Sequence, residues 1–390
     1  MDQLDREKIN LYLLHKQHLL KQSRINSIVQ TAGDLCGLHA TCPTTPYLSL
    51  FARMNQFSKS DLKREVEINK SLVRIRSIRS TLHLIPFEKN TLVFAATKAQ
   101  LNRRSEKYIQ HLGMTLEEFN SIAEKIIITL TGRGLTANEI KKETGNSKYT
   151  SHVINILCDE GTIVRGMING SWKSNIHRYF RFEDFYSESD ISNISKEVAF
   201  EYLVMDYIKS YGPVTMEDII WWSGLNKQTV RQVIENKKKE LENLNIEGYP
   251  ENFLMLKSDF DSLLQTAISG NLNVLFLPAM DPFIMGYKVR QRFIDDAESD
   301  FVYDRFGNAT PTIILDGTII GIWDLDDQKN ILKFYIFENQ EDKIFEEIIK
   351  EGIKTGEFYC EREIDILEIR ETTPVKNLTV GSFMSPLKKE

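Results

Sequence analysis

The sequence predicts an α+β chain of three tandem winged-helix (helix-turn-helix) units followed by a C-terminal β-rich domain. Three observations carry this reading. Helices in the first part of the chain come in short pairs, each followed by a β segment or hairpin. That pattern returns at spacings of roughly 70–80 residues, as diverged internal repeats do. From about Asn273 onward β runs dominate instead. The expected boundaries are 1–112, 113–192, 193–270 and 271–390.

The elements follow in order. Ile9, Leu11, Tyr12, Leu13, Leu14, Leu19 and Leu20 predict an amphipathic helix over 9–20. A second helix is expected from about Ile25 to Leu35, with Gly37 as its C-terminal cap. Pro43 and Pro46 bracket a loop, and Thr44 or Thr45 is placed to cap a helix through Arg53. Ser60-Asp61 opens another helix through Asn69, and Leu72–Leu84 then has β character, where a wing would follow a recognition helix. In the second repeat, Thr136 and Glu139 form a capping box, a helix covers 149–160, and Thr162–Arg181 reads as a hairpin turning at Asn169-Gly170. The third repeat begins near Glu197. Thr215 and Asp218 repeat the capping geometry, and Ile219–Gly224 and Asn226–Leu241 complete a helix-turn-helix. Beyond it, Val274–Leu277, Thr312–Leu315, Thr318–Trp323 and Leu332–Phe337 read as strands, with Asp316-Gly317 as a hairpin turn and Glu341–Glu351 as a helix.

Composition narrows the class. With 42% hydrophobic and 27% charged residues, the 390-residue chain is ordinary for a soluble protein of several domains. No run approaches a membrane span, no secretory signal is expected, and a cytoplasmic location fits. The four cysteines are scattered, without Cys-X-X-Cys, so neither a zinc site nor a disulfide framework is expected. No phosphate-binding Gly loop, His-Glu-X-X-His or Gly-X-Ser-X-Gly occurs, and no metal or cofactor is expected. Net charge is −6, yet residues 1–110 hold 18 of the 49 Lys+Arg and 9 of the 55 Asp+Glu, a net of +9, leaving −15 for the rest. That asymmetry points the N-terminal part toward a polyanion, unless charge simply varies along a long chain.

Two segments are the most informative. Leu35-Cys36-Gly37-Leu38-His39-Ala40-Thr41-Cys42-Pro43 contains a Gly-Leu-X-Ala-X-X-Pro turn, and Arg79-Ser80-Thr81-Leu82-His83 follows as Arg-X-Thr-Leu-His. Toward the C-terminus stand Leu277-Pro278-Ala279-Met280-Asp281-Pro282-Phe283 and Pro311-Thr312-Ile313-Ile314-Leu315-Asp316-Gly317, leading to Gly321-Ile322-Trp323. In this order the chain resembles the AlkZ/YcaQ-like family of winged-helix DNA glycosylases, over nearly its whole length. The resemblance implies binding of alkylated or crosslinked double-stranded DNA, excision of N7-alkylated purines and unhooking of interstrand crosslinks. It also implies a catalytic turn, which in the family usually holds Gln at the first variable position and Gln or Asp at the second. Here those positions are His39 and Thr41.

The residue chemistry allows two outcomes. An N7-alkylated purine is already cationic, so its departure needs oriented water and tolerance of positive charge on the sugar more than a strong acid. A neutral imidazole at His39 and the Thr41 hydroxyl keep the spacing for holding that water. Alternatively the turn has lost catalysis, and the chain is a non-catalytic winged-helix DNA-binding protein, a regulator or lesion binder. Alternation along the β segment puts Arg74 with Arg76, and Arg79 with Thr81 and His83, on polar faces that can meet phosphates. Tyr47 is the better candidate for base stacking, whereas Trp221, Trp222 and Trp323 sit in apolar runs and read as core. Asp34 and Glu88 read first as helix-end or surface acids, with water activation the alternative for a carboxylate. A monomer is expected.

Overall fold

The computed structural model describes residues 4–145, 147–186, 194–267, 272–378 and 387. It is a mixed α+β chain in two compact units. One comprises Met1–Ser27, Thr45–Phe57 and Tyr207–Glu390, and the other Ile28–Thr44 and Ser58–Asp206. Among the described residues no helix is long and apolar enough to cross a membrane.

The second of these units carries the candidate site. Helix Ile28–Asp34 ends in a turn where Gly37 takes a φ of 107° and its N–H bonds to Ala32 O at 2.7 Å, the capping expected of a glycine there. Strand β1 (Leu38–His39) follows at once. After the chain returns to this unit, Ser58 caps helix Lys59–Glu67, with Asp61 completing the capping box. The cap therefore lies two residues before the Ser60 expected from the sequence. Strands β2 (Leu72–Arg76) and β3 (Leu82–Pro86) then form an antiparallel hairpin, in the sheet order β1-β3-β2.

Here the reading of Leu72–Leu84 as one β segment is corrected. The chain reverses over Ile78–Ser80, where Arg79 and Ser80 take φ of 51° and 57°. Ser77 and Ser80 bound this turn, and with no Gly, Pro, Asn or Asp beside them its local signal is weak. The assignment of Arg79, Thr81 and His83 to one strand face falls with the continuous strand.

The rest of the unit repeats the arrangement. Helix Phe87–His111 leads to helix Leu116–Thr129, and Thr136 caps helix Ala137–Glu143 with Glu139 closing the expected box. Helix Thr150–Asp159 precedes strands Ile163–Ile168 and His177–Arg181. The turn at Asn169-Gly170 is longer than expected: Asn169 N–H bonds across to Ile176 O, closing an eight-residue loop between those strands. Met114, Phe119, Ile126, Ile140, Val153 and Leu157 share one buried core.

In the other unit, Thr215 and Asp218 form the expected capping box of helix Met216–Ser223, and helix Lys227–Lys237 precedes strands Leu241–Asn245 and Asn252–Leu256. Its five-stranded sheet runs in the order Val274–Leu277, Thr312–Leu315, Thr318–Asp326, Ile331–Ile336, Asp365–Glu368, the last pair parallel. Asp316 and Gly317, both at positive φ, turn the central hairpin as expected of an Asp-Gly pair. Helix Asp342–Cys360, longer than the sequence suggests, supplies the parallel crossover and seats Ile348 against Phe276, Ile313, Trp323 and Phe334. Trp323 donates Nε1–H to Leu277 O at 2.9 Å, and Trp222 is likewise buried, as a core reading requires.

Candidate active site

Strand pairing assembles the site. Leu38 lies opposite Leu84 and His39 opposite His83, while Ile75 pairs with His83 on the other side. Directly opposed residues share a face, so His39 and His83 stand together. Their ring centroids are 5.1 Å apart at 67°, and both are buried.

The hydrogen bonds set the ring states. His83 Nδ1 lies 3.1 Å from Thr81 O and 3.2 Å from Ser77 Oγ. A carbonyl can only accept, so Nδ1 carries the hydrogen and Nε2 is the lone-pair nitrogen. At His39 the Thr41 backbone N–H approaches Nδ1 at 3.5 Å, a long contact. This contact favours Nδ1 as the acceptor, with the hydrogen on Nε2. His39 Nε2 is buried and has no hydrogen-bond partner among the described residues. A donor left so is costly unless something outside the protein completes it.

Burial, the His83 ring and the Arg79 guanidinium, in that order, hold His39 well below the usual imidazole value. Burial and Arg79 push His83 down to about 4, against the hydrogen bond to Thr81. Both rings are therefore neutral at pH 7. The linkage sign follows. Above about pH 6.5 neither folded nor unfolded chain protonates these rings, and no stability is lost. As pH falls from about 6.5 toward about 4, the unfolded chain takes up a proton at residue 83 that the folded chain refuses. Stability then falls by about 1.4 kcal/mol per pH unit for this group, to about 3 kcal/mol in all. Urea unfolding should show a shallower loss between pH 6.5 and 4 in His83→Gln than in wild type. Equal pH slopes would contradict the buried, neutral ring.

The other predicted DNA-facing residues are distributed differently from expectation. Arg74, expected on a cationic face, is instead only 4% exposed. Both faces of β2 are covered: Val73 and Ile75 join Ile85, Val93, Val164 and Phe182 in a core, and the Arg74 charge is felt by His177 and Tyr186. Arg76 gives Nη1 to Asp159 Oδ1 and Oδ2 at 2.7 and 2.8 Å, a carboxylate distant in sequence. Arg79 and Thr81 are half-buried at the hairpin turn, and Thr81 Oγ1 donates to Ile78 O. Thr41 is exposed, and its hydroxyl accepts Leu82 N–H at 3.2 Å. Tyr47 is buried in the other unit. Among the acids, Glu88 is exposed, whereas Asp34 ends its helix near Lys89.

Two supports escaped the sequence reading. Lys89 Nζ holds Gly33 O at 2.9 Å and Asp206 at 2.8 and 3.1 Å, anchoring the turn before β1. Ser77 helps hold the His83 ring. Neither sits in a motif; only the proximity of Ser77 to the Arg-X-Thr-Leu-His segment could have suggested it.

The fold and this strand-borne turn place the chain among mixed α+β proteins with a buried imidazole pair on a small sheet. The chain belongs to the AlkZ-like family: a family model described as DNA glycosylase AlkZ-like matches residues 32–335. It is 22% identical over 320 residues, 78% of this chain and 84% of the relative, to the interstrand DNA cross-link repair glycosylase of Streptomyces sahachiroi. The solved structure of Streptomyces sahachiroi DNA glycosylase AlkZ shares its fold, with a TM-score of 0.75, 19% identity, and coverage of 94% of this chain and 100% of that one.

Proposed function

We propose that this protein is a metal-free, monofunctional DNA glycosylase that acts as a monomer on double-stranded DNA bearing N7-alkylated or crosslinked purines. The carrying observation is the buried, unpartnered Nε2 of His39 in the Gly-Leu-X-Ala-X-X-Pro turn, which we read, by resemblance, as the catalytic turn. The three small sheets share one strand order, a short strand beside the second strand of a hairpin, each with preceding helices. We read them as three winged-helix units over 1–112, 113–192 and 193–270, followed by the β-rich domain 271–390. A cytoplasmic location suits such a role.

In the reaction, water oxygen adds to the sugar C1′ as the C1′–N9 bond breaks. The bonding electron pair leaves with the purine and cancels its positive charge, so the base needs no added proton. His39 Nε2–H donates to the water oxygen and orients it; the proton released from water passes to solvent. A ring held well below the usual imidazole value is a weak base, which favours orientation over deprotonation. Arg79 and Thr81, at the turn beside the site, meet the phosphate backbone. Arg74, Arg76 and His83 support the sheet from within.

A second reading rests on Thr41. Its hydroxyl is engaged by Leu82 N–H and is shorter than the family's usual amide, which fits a DNA-binding protein without catalysis. One assay separates the two. Duplex DNA containing N7-methylguanine should accumulate abasic sites, while uracil-containing duplex should not, since a neutral base needs more help to leave. Binding without abasic sites on any cationic lesion would establish the non-catalytic reading. Efficient uracil release would refute the mechanism.

A further inference from the structure

The helix Phe87–His111 presents Gln100, Arg103, Arg104, Lys107 and His111 on one side, at helical spacings of three and four. With Ser80 they line a cavity of about 500 Å³ in which no lining residue is acidic. Arg104 Nη1 donates to Ser80 O at 3.1 Å, which ties this groove to the β2–β3 turn. The same turn carries Arg79, whose charge acts on both His39 and His83. The groove and the candidate active site thus belong to one unit and adjoin through one loop.

We infer that this groove binds the sugar-phosphate backbone of one DNA strand and supplies most of the protein's sequence-independent affinity. The inference rests on the proposed action on DNA and deepens it. From Gln100 to His111 the helix rises ~16 Å, and a duplex strand carries one phosphate per ~3.4 Å of axis. A row of cations matches a row of phosphates better than it matches a single small anion. Arg74 is buried and Arg76 is held by Asp159, so the strand the sequence marked as basic cannot take this role. Arg103 and Lys107 are exposed and have no carboxylate among the ion pairs of the described residues.

The test is salt-titrated binding of a lesion-free duplex, followed by fluorescence anisotropy. Removing one cation that neutralises a phosphate should make the log–log salt slope shallower by about 1. Arg103→Gln with Lys107→Gln should therefore make it shallower by about 2, equally for unrelated sequences. The charge-keeping pair Arg103→Lys with Lys107→Arg should retain the wild-type slope, and so should Lys125→Gln, which removes an exposed cation from another helix of the same unit. An unchanged slope in the Gln pair, or a salt-independent wild type, overturns the groove. Because the probe carries no lesion, absence of abasic sites in the separate excision assay would refute the glycosylase reading and leave a slope change at the groove intact.

Discussion

His39→Ala is expected to lower single-turnover excision of N7-methylguanine by roughly 10²-fold or more, the scale of a positioned proton donor or acceptor, with little change in DNA affinity. The Ala side chain removes the group that presents a buried, unpartnered donor on the β1 turn, and leaves water without a fixed orientation. His39→Gln should retain more activity, because an amide donor can replace Nε2–H at the family's usual residue. The pH profile separates ring from amide. Wild type should excise at a constant rate from neutral pH upward and fall only in acid well below about 6.5, where protonated His39 would add positive charge beside a cationic sugar. His39→Gln should lack that acid limb. If His39→Ala excises as fast as wild type, His39 has no part in the reaction. If wild type is inactive and His39→Gln gains activity, the scaffold still positions substrate and only the turn has lapsed.

Asp281→Ala is expected to destabilise its unit by about 3–5 kcal/mol, the usual cost of leaving a buried charge without its partner. Arg53 and Asp281 are both fully buried, and the pair is bidentate, Nη2–Oδ1 at 2.6 Å and Nη1–Oδ2 at 2.8 Å. Ser49 Oγ–H and Phe283 N–H complete the carboxylate, while Gln17 O and Ser49 O accept from the guanidinium. Removing the carboxylate strands a guanidinium in the core. Replacing both members, Arg53→Met with Asp281→Leu, should cost less than either single change, since no charge is left unpaired. Urea unfolding followed by tryptophan fluorescence reports this directly, because Trp221, Trp222 and Trp323, three of the four tryptophans, lie in the same unit. A loss under about 1 kcal/mol in Asp281→Ala would show that the site relaxes to admit water, contrary to a dry, closed pair.

What the sequence determined alone was chemistry completed within a few residues. The capping boxes at Thr136–Glu139 and Thr215–Asp218 form where read, because side chain and backbone N–H are three residues apart. Asp316-Gly317 turns its hairpin for an equally local reason: both residues tolerate positive φ. The motif order was also legible, and it led to the family and to His39. What only the tertiary structure decided depends on partners distant along the chain. Arg74 and Arg76 look like a cationic face until the fold buries Arg74 near His177 and Tyr186 and pairs Arg76 with Asp159, all from later elements. His39 looks like an isolated imidazole until the fold buries it and the pairing of β1 with β3 sets His83 beside it, which together lower its affinity for protons. The basic face of the helix Phe87–His111 was present as spacing, yet its hydrogen bond to Ser80 at the β2–β3 turn is made only in the folded unit. Arg53 and Asp281, 228 residues apart, show the limit most plainly. Local propensity acts over one or two turns of chain, whereas burial and charge pairing are set by which segments the folded core brings together.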